Sequence, residues 1–202
     1  MLLHAHGLGL QLDQRWLFRD LSLSLEVGEV LWVRGPSGSG KSQLLRRLAG
    51  LVDGPGTVTL KGRSQHEIDP PSWRRQVCYV APELPRQVAA NGDALRARIE
   101  GLAAQAGAGD DPVRLAESWG LPPRAWQQPL AQLSSGEGQR LWLALVLARR
   151  PEVLLLDEPT RALDPEATEA VESSLAGRAA VWVSHDPAQG ERVGSAQLSL
   201  GS

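Results

Sequence analysis

The 202-residue sequence is poor in several residue types: one cysteine, one methionine, one phenylalanine, one tyrosine and only two lysines, Lys41 and Lys61. A single thiol, Cys78, excludes an internal disulfide framework and suits a reducing compartment. Positive charge is not in excess, since 21 Lys and Arg stand against 23 Asp and Glu for a net charge of −2. The clustered field that sequence-independent nucleic-acid binding needs is therefore missing, and no nucleic-acid partner is expected. The arginine pairs Arg46-Arg47, Arg74-Arg75 and Arg149-Arg150 sit among apolar residues and read as polar edges of elements. The longest strongly apolar run, Leu141 to Ala148, is far below the roughly 20 residues that span a bilayer. Met1-Leu2-Leu3-His4 carries no charged leader ahead of an apolar block, so no signal peptide is expected. The length fits a single domain over 1–202, with a core that buries roughly 70% of the extended-chain surface.

Strand signals come first along the chain. Leu21 to Val27 alternates with period two, and Val27-Gly28-Glu29 turns it into Val30-Leu31-Trp32-Val33, a short run fit for a strand buried on both faces. A glycine-rich loop follows, then a helix predicted from Gln43 to Ala49 and closed by Gly50. Thr57–Leu60 and Gln76–Val80 are further strand candidates. Residues 84–133 hold no convincing strand. Ala94–Leu102 and Val113–Trp119 read as helices, with an Ala/Gly tract over Ala103–Gly109, so a helical insert is expected. Strands return at Val153–Leu156 and Ala180–Val183, separated by a helix from Pro165 to about Leu175. Apolar strands alternating with helices imply a parallel sheet covered by helices.

Three segments carry chemistry. Gly35-Pro36-Ser37-Gly38-Ser39-Gly40-Lys41-Ser42 satisfies G-x-x-x-x-G-K-[ST] in full. Its glycines let backbone N–H groups turn toward phosphate oxygens, and the following helix, through Gln43, offers its positive end. Lys41 can reach β- and γ-phosphates, and the Ser42 hydroxyl can bind Mg²⁺. Next, Leu154-Leu155-Leu156 ends in the carboxylates Asp157 and Glu158. The first is placed to hold Mg²⁺ and the second to act as general base on water. Third, Ser134-Ser135-Gly136-Glu137 opens the most apolar helix of the chain. Ser134 and Glu137 fit a capping box, and the same helix start suits an anion.

Taken together, Leu133-Ser134-Ser135-Gly136-Glu137-Gly138-Gln139-Arg140, lying between that loop and Leu154-Leu155-Leu156-Asp157-Glu158-Pro159-Thr160, resembles the signature segment of ATP-binding-cassette ATPases. Arg161-Ala162-Leu163-Asp164 resembles their D-loop, and Val183-Ser184-His185-Asp186 their switch histidine. The resemblance covers nearly the whole chain. It implies an α/β fold: a RecA-like P-loop NTPase core, an N-terminal antiparallel β subdomain and a helical subdomain at about 84–135. It also implies two copies paired head to tail around ATP and Mg²⁺. Ser134, Ser135, Gly136 and Glu137 would then serve the partner's nucleotide, Asp164 the dimer contact, and His185 the γ-phosphate of its own subunit. Asp164 before Pro165 is also a good helix N-cap, which by itself explains the residue.

The sequence departs from that pattern in places. Pro82 stands where the family has a glutamine that touches Mg²⁺; either Glu83 takes over or the position is lost. The place of the adenine-stacking aromatic falls near Leu10, with Trp16 as the substitute if its loop folds back. Ser135 occupies a signature glycine position. Of the seven tryptophans, Trp32, Trp142 and Trp182 read as core. Trp73, Trp119 and Trp126 flank the helical insert, where packing is the plain reading and contact with a transmembrane subunit the functional one. The expected function is ATP hydrolysis driving a transporter through a separate integral membrane permease, with the chain peripheral on the cytoplasmic face of the membrane. Ser72 to Tyr79 and the short length look most like small bacterial cassette subunits assigned to iron export, with haem-exporter subunits next. The alternatives are a soluble cassette ATPase acting on macromolecules and a low-turnover, ATP-gated dimerisation module.

Overall fold

A computed structural model describes residues 1–82, 111–129 and 132–201. Glu83, the stretch Ala94–Leu102 and the Ala/Gly tract lie outside the described residues. The chain divides into two units: the first is 1–79, 152–158 and 176–202, the second 80–151 and 159–175.

The first unit holds two sheets. The strands β1 (Leu3–Leu12), β2 (Arg15–Leu25), β4 (Thr57–Leu60) and β5 (Arg63–Ser64) form an antiparallel sheet in the order β2-β1-β4-β5. This is the expected N-terminal antiparallel subdomain. The second sheet has the order β6 (Val77–Val80), β7 (Val153–Asp157), β8 (Ala180–Val183), β3 (Val30–Arg34), β9 (Ala196–Ser199). Its β7·β8, β8·β3 and β3·β9 pairs are parallel. Every residue of β7 and β8 is buried, as are the first four of β3, which is why they read as continuous apolar runs rather than alternating ones. Side chains from both sheets and from helix α1 (Lys41–Leu48) share one core, including Leu3, Leu25, Val33, Leu44, Leu48 and Val181.

Details differ from expectation at element ends, in one additional helix and at two side chains. Helix α1 begins at Lys41, two residues before the predicted start, directly after Gly40 in the left-handed region. A helix α2 (Pro70–Gln76) was not expected. Its N-cap is Asp69, whose carboxylate accepts from Ser72 N at 3.0 Å, and it claims Gln76, so β6 starts at Val77. Arg47 is no polar edge: it is buried, and donates to Gln65 Oε1 (3.0 Å), Gly54 O (3.0 Å) and Gly56 O (3.1 Å). Burial pushes its guanidinium pKa down, partly offset by Asp53. Trp142 is half-buried rather than core. Trp32 and Trp182 are buried as expected, and so are Trp73 and Trp119, which supports packing over partner contact for the latter two.

In the second unit the described part of the helical region gives α3 (Pro112–Ser118), capped by Asp111, and a 3₁₀ turn at Pro123–Trp126. The unit also contains α4 (Ser135–Ala148) and α5 (Pro165–Leu175), the latter at its predicted bounds. Trp119 Nε1 donates to Ser174 Oγ at 2.9 Å, tying the end of α3 to α5. The last helix, α6 (Pro187–Val193), returns to the first unit.

Candidate functional site

Strands β3, β8 and β7 are parallel neighbours, so their C-terminal ends share one edge of the sheet. Three chemically active segments leave from that edge: the loop after β3 beginning at Gly35, Glu158 directly after β7, and His185 two residues after β8. Ligands of open α/β sheets bind at such an edge. A cleft of about 290 Å³ opens there, lined by Leu12, Leu17, Ser37, Gly38, Gly40, Lys41, Ser42, Gln43, Glu158, Val183 and His185.

The loop is shaped for an anion. Gly40 has φ +95°, a backbone conformation that favours glycine, and a Cβ there would also be tight against Leu17 Cβ at 3.2 Å. The helix that follows has no side-chain cap and no acidic residue in its first turn, leaving its positive end to a ligand. Lys41 is buried, and its Nζ donates to Gly35 O (2.8 Å) and Pro36 O (3.0 Å) within the loop. Pro36 itself and Ser39 do not line the cleft.

Asp157, 2% exposed, is the buried end of β7. An unpaired carboxylate would be costly there, but both of its oxygens are engaged. Ser42 Oγ donates to Oδ1 at 3.1 Å and Tyr79 Oη donates to Oδ2 at 2.8 Å. Burial first, then the Asp157 charge, pushes the Tyr79 phenol up to about 12. Glu158 takes φ +50°, uncommon outside glycine. Its N–H donates to Val183 O at 3.0 Å, and its Oε1 lies 2.7 Å from His185 Nε2. The adjacent hydroxyl and carboxylate of Ser42 and Asp157 are hard oxygen ligands, and fit Mg²⁺ beside a bound phosphate.

In the second unit Ser134 caps α4. Its Oγ accepts from Glu137 N at 3.2 Å, and Glu137 Oε2 accepts from Ser134 N at 2.9 Å, the complete capping box. The Ser134 N–H first, and then its hydroxyl, hold the Glu137 carboxyl below the usual carboxylate range. Arg124 reaches Glu137 Oε1 at 3.3 Å. Ser135 is exposed. Gly136 lies against the 161–164 segment: a Cβ there would meet Ala162 O at 2.6 Å. Asp164 Oδ1 accepts from Ala167 N at 2.8 Å, the N-cap of α5, and Asp164 Oδ2 lies 3.7 Å from Arg140. The two segments are thus neighbours.

The ABC transporter family model matches residues 18–161. The chain belongs to that family. Its fold is the α/β P-loop NTPase fold of the cassettes of that family. Among its relatives is "Protein STAR1" of Oryza sativa subsp. japonica, 37% identical over 186 residues, which cover 88% of the cassette and 53% of that protein. The cassette thus spans about half of STAR1. Another is "Phosphate import ATP-binding protein PstB" of Aeropyrum pernix, 32% identical over 213 residues, covering 96% of the cassette and 84% of that protein. A solved "Structure of ATP binding subunit of ABC transporter" has the same fold, with a TM-score of 0.83 at 22% identity over 99% of the cassette and 86% of that chain.

Among the predicted residues, Ser37, Gly38, Gly40, Lys41, Ser42, Gln43, Glu158 and His185 gather around one cleft, with Asp157 bonded beneath it. Two expectations about the nucleobase change. Leu10 packs toward the core, and Trp16 is not in the cleft wall: its ring lies beside Gly9, with the Arg19 guanidinium 5.5 Å from its centroid. The residues of this arm at the cleft are Leu12 and Leu17. Across the β1–β2 turn, Trp16 and Leu17 are successive residues of one strand, so their side chains leave on opposite faces. Tyr79 was read only as a strand aromatic. The signal for its contact with Asp157 is the adjacency of β6 and β7, which the sequence order of the strands does not reveal.

Proposed function

We propose that this cassette powers an ABC transporter: it hydrolyses ATP as a head-to-tail homodimer docked on a separate integral membrane permease at the cytoplasmic face of the membrane. The observation that carries this reading is the Glu158–His185 pair at 2.7 Å, lining one cleft with Lys41 and Ser42, whose Oγ is bonded to Asp157. No helix among the described residues is long and apolar enough to cross a membrane.

Each role follows from position. The amides of 35–42 and the positive end of α1 hold the β- and γ-phosphates of ATP. Lys41 exchanges the carbonyls of Gly35 and Pro36 for phosphate oxygens. Ser42 and Asp157 would hold Mg²⁺, with Glu83 as a further candidate ligand, and the ion when bound neutralises charge on the transferring phosphoryl group. Glu158 accepts a proton from the attacking water. His185 Nε2 orients the Glu158 carboxylate and then turns to the γ-phosphate. The nucleoside rests against Leu12 and Leu17, an aliphatic wall without the stacking contribution of about 1–3 kcal/mol that an aromatic gives.

A cleft of about 290 Å³ lies at the low end of small-molecule sites. That supports a second wall supplied by another copy: Ser134, Ser135, Gly136 and Glu137 at the start of its α4, with Asp164 beside the dimer seam. Glu158→Gln with ATP and Mg²⁺ tests this by light scattering. The expected species has twice the 21.8 kDa chain mass; a monomer at saturating ATP contradicts the head-to-tail arrangement. Recovery of a multi-span membrane protein with the cassette, rather than ribosomes or DNA, tests the coupling. For the cargo, the resemblance of Ser72–Tyr79 to iron-export cassettes supports iron moved outward, and metal efflux from cells with and without the chain tests it.

A further inference from the structure

Tyr79 is the single tyrosine of the chain, and its hydroxyl is aimed at Asp157, the buried carboxylate bonded to the cleft residue Ser42. Tyr79 Oη donates to Asp157 Oδ2 at 2.8 Å, while Ser42 Oγ donates to Oδ1 at 3.1 Å. The two oxygens of Asp157 are therefore held by different groups from different elements, β6 on one side and α1 on the other. A carboxylate at a strand end turns about its own axis unless both oxygens are held. The ring is fixed as well: it packs against the core shared by the two sheets, and the Arg46 guanidinium covers it at 5.9 Å from the centroid. Phenylalanine would fill the same space, so packing alone does not call for the hydroxyl.

We propose that Tyr79 is a positioning residue for the metal–nucleotide site, fixing Asp157 through Oδ2 so that Oδ1 and Ser42 Oγ face a divalent cation together. This rests on the reading of 35–42 and Asp157 as the Mg²⁺–ATP site. Tyr79 touches neither metal nor nucleotide; it acts through Asp157. Partners of this kind behind a metal ligand are worth about 10-fold or more in metal affinity.

The test measures binding of a non-hydrolysable ATP analogue to the full chain in EDTA and in Mg²⁺. Tyr79→Phe is expected to bind as wild type does in EDTA and to lose about 10-fold of the gain that Mg²⁺ confers. An undiminished Mg²⁺ gain in Tyr79→Phe, with the gain abolished in Asp157→Asn, overturns the role of Tyr79 and leaves the site intact. An undiminished gain in Asp157→Asn overturns the site reading and this inference with it. A second measurement needs no substitution at position 79. With ζ-¹³C-tyrosine the chain gives one ring resonance. That resonance is expected to move when Mg²⁺ joins the bound analogue and to move in Asp157→Asn; a resonance that stays in place in both contradicts the proposal.

Discussion

His185 Nε2 lies 2.7 Å from Glu158 Oε1, joining the residue that follows β7 to one that follows its parallel neighbour β8. The contact is prepared by backbone as well as by side chains. Glu158 takes φ +50° and donates its N–H to Val183 O, so the chain turns sharply as it leaves the sheet. A non-glycine residue held in this region carries strain of about 1–3 kcal/mol, which the surrounding structure must offset. His185→Ala is expected to leave the fold and ATP binding in place and to lower turnover, since the carboxylate keeps its backbone position but loses its orienting partner. Steady-state phosphate release beside equilibrium ATP binding checks this.

Lys41 is half of the chain's lysine complement, and its ammonium is held inside the loop by the Gly35 and Pro36 carbonyls. Lys41→Ala removes the one cationic side chain of the loop 35–42. Loss of measurable affinity for ATP is expected, with far-ultraviolet circular dichroism unchanged. Retained affinity would remove Lys41 from the site.

Tyr79 offers a direct titration, because no other tyrosine contributes to the phenolate absorbance. The expected midpoint is about 12, against an ordinary value of 10.0. Asp157→Asn removes the neighbouring negative charge and is expected to bring it down. The sign for stability follows. A folded pKa above the unfolded one favours the neutral phenol, so its contribution is fully present below pH 10 and lost as pH rises toward 12. Tyr79→Phe is expected to flatten the stability profile across that window, as denaturant melts will show.

Much of the site is legible in the sequence because it sits where strong local signals coincide. β3, β7 and β8 are continuous apolar runs, and each ends at the residues that do chemistry; Ser134-x-x-Glu137 and Asp164-Pro165 are caps visible by spacing alone. β1 was not read because its alternation is broken. Gly7 and Gly9 interrupt it, and its register with β2 shifts between Ala5 and Leu8, Leu8 and Leu10, and Leu10 and Gln11, so no period-two pattern survives. α2 was hidden by Pro70-Pro71, which reads as a break although proline is tolerated in a first helical turn behind Asp69. Arg47 and Tyr79 share a different obstacle. Their partners, the 54–56 carbonyls and Asp157, come from other parts of the chain, and only the assembled fold brings them together.

Gly190 marks a contact that no periodicity announces. A Cβ there would lie 2.0 Å from the Trp32 ring, so α6 sits directly on the indole of β3. Gly190→Ala forces one of them to move. A loss of about 1–3 kcal/mol is expected from overpacking, read as a lower melting temperature, with ATP affinity changed far less.

Ser134→Ala removes the Oγ that accepts from Glu137 N, and keeps the Ser134 N–H that donates to the Glu137 carboxylate. A stability loss of about 1 kcal/mol is expected at neutral pH. Because the Glu137 pKa is depressed on folding, its contribution is present above the ordinary carboxyl value of 4.5 and fades as pH falls below it. The backbone bond that chiefly sets this shift is kept in Ser134→Ala, so wild type and variant should both lose stability in acid and a gap between them should remain, which melts at pH 3 and pH 7 will check.

The most direct measurement is ATP turnover by wild type and Glu158→Gln under the same saturating Mg²⁺–ATP, with binding measured alongside. Glu158 as general base predicts that the variant binds ATP as tightly as wild type and loses roughly 100-fold or more of the rate. Equal rates in the two proteins would contradict it.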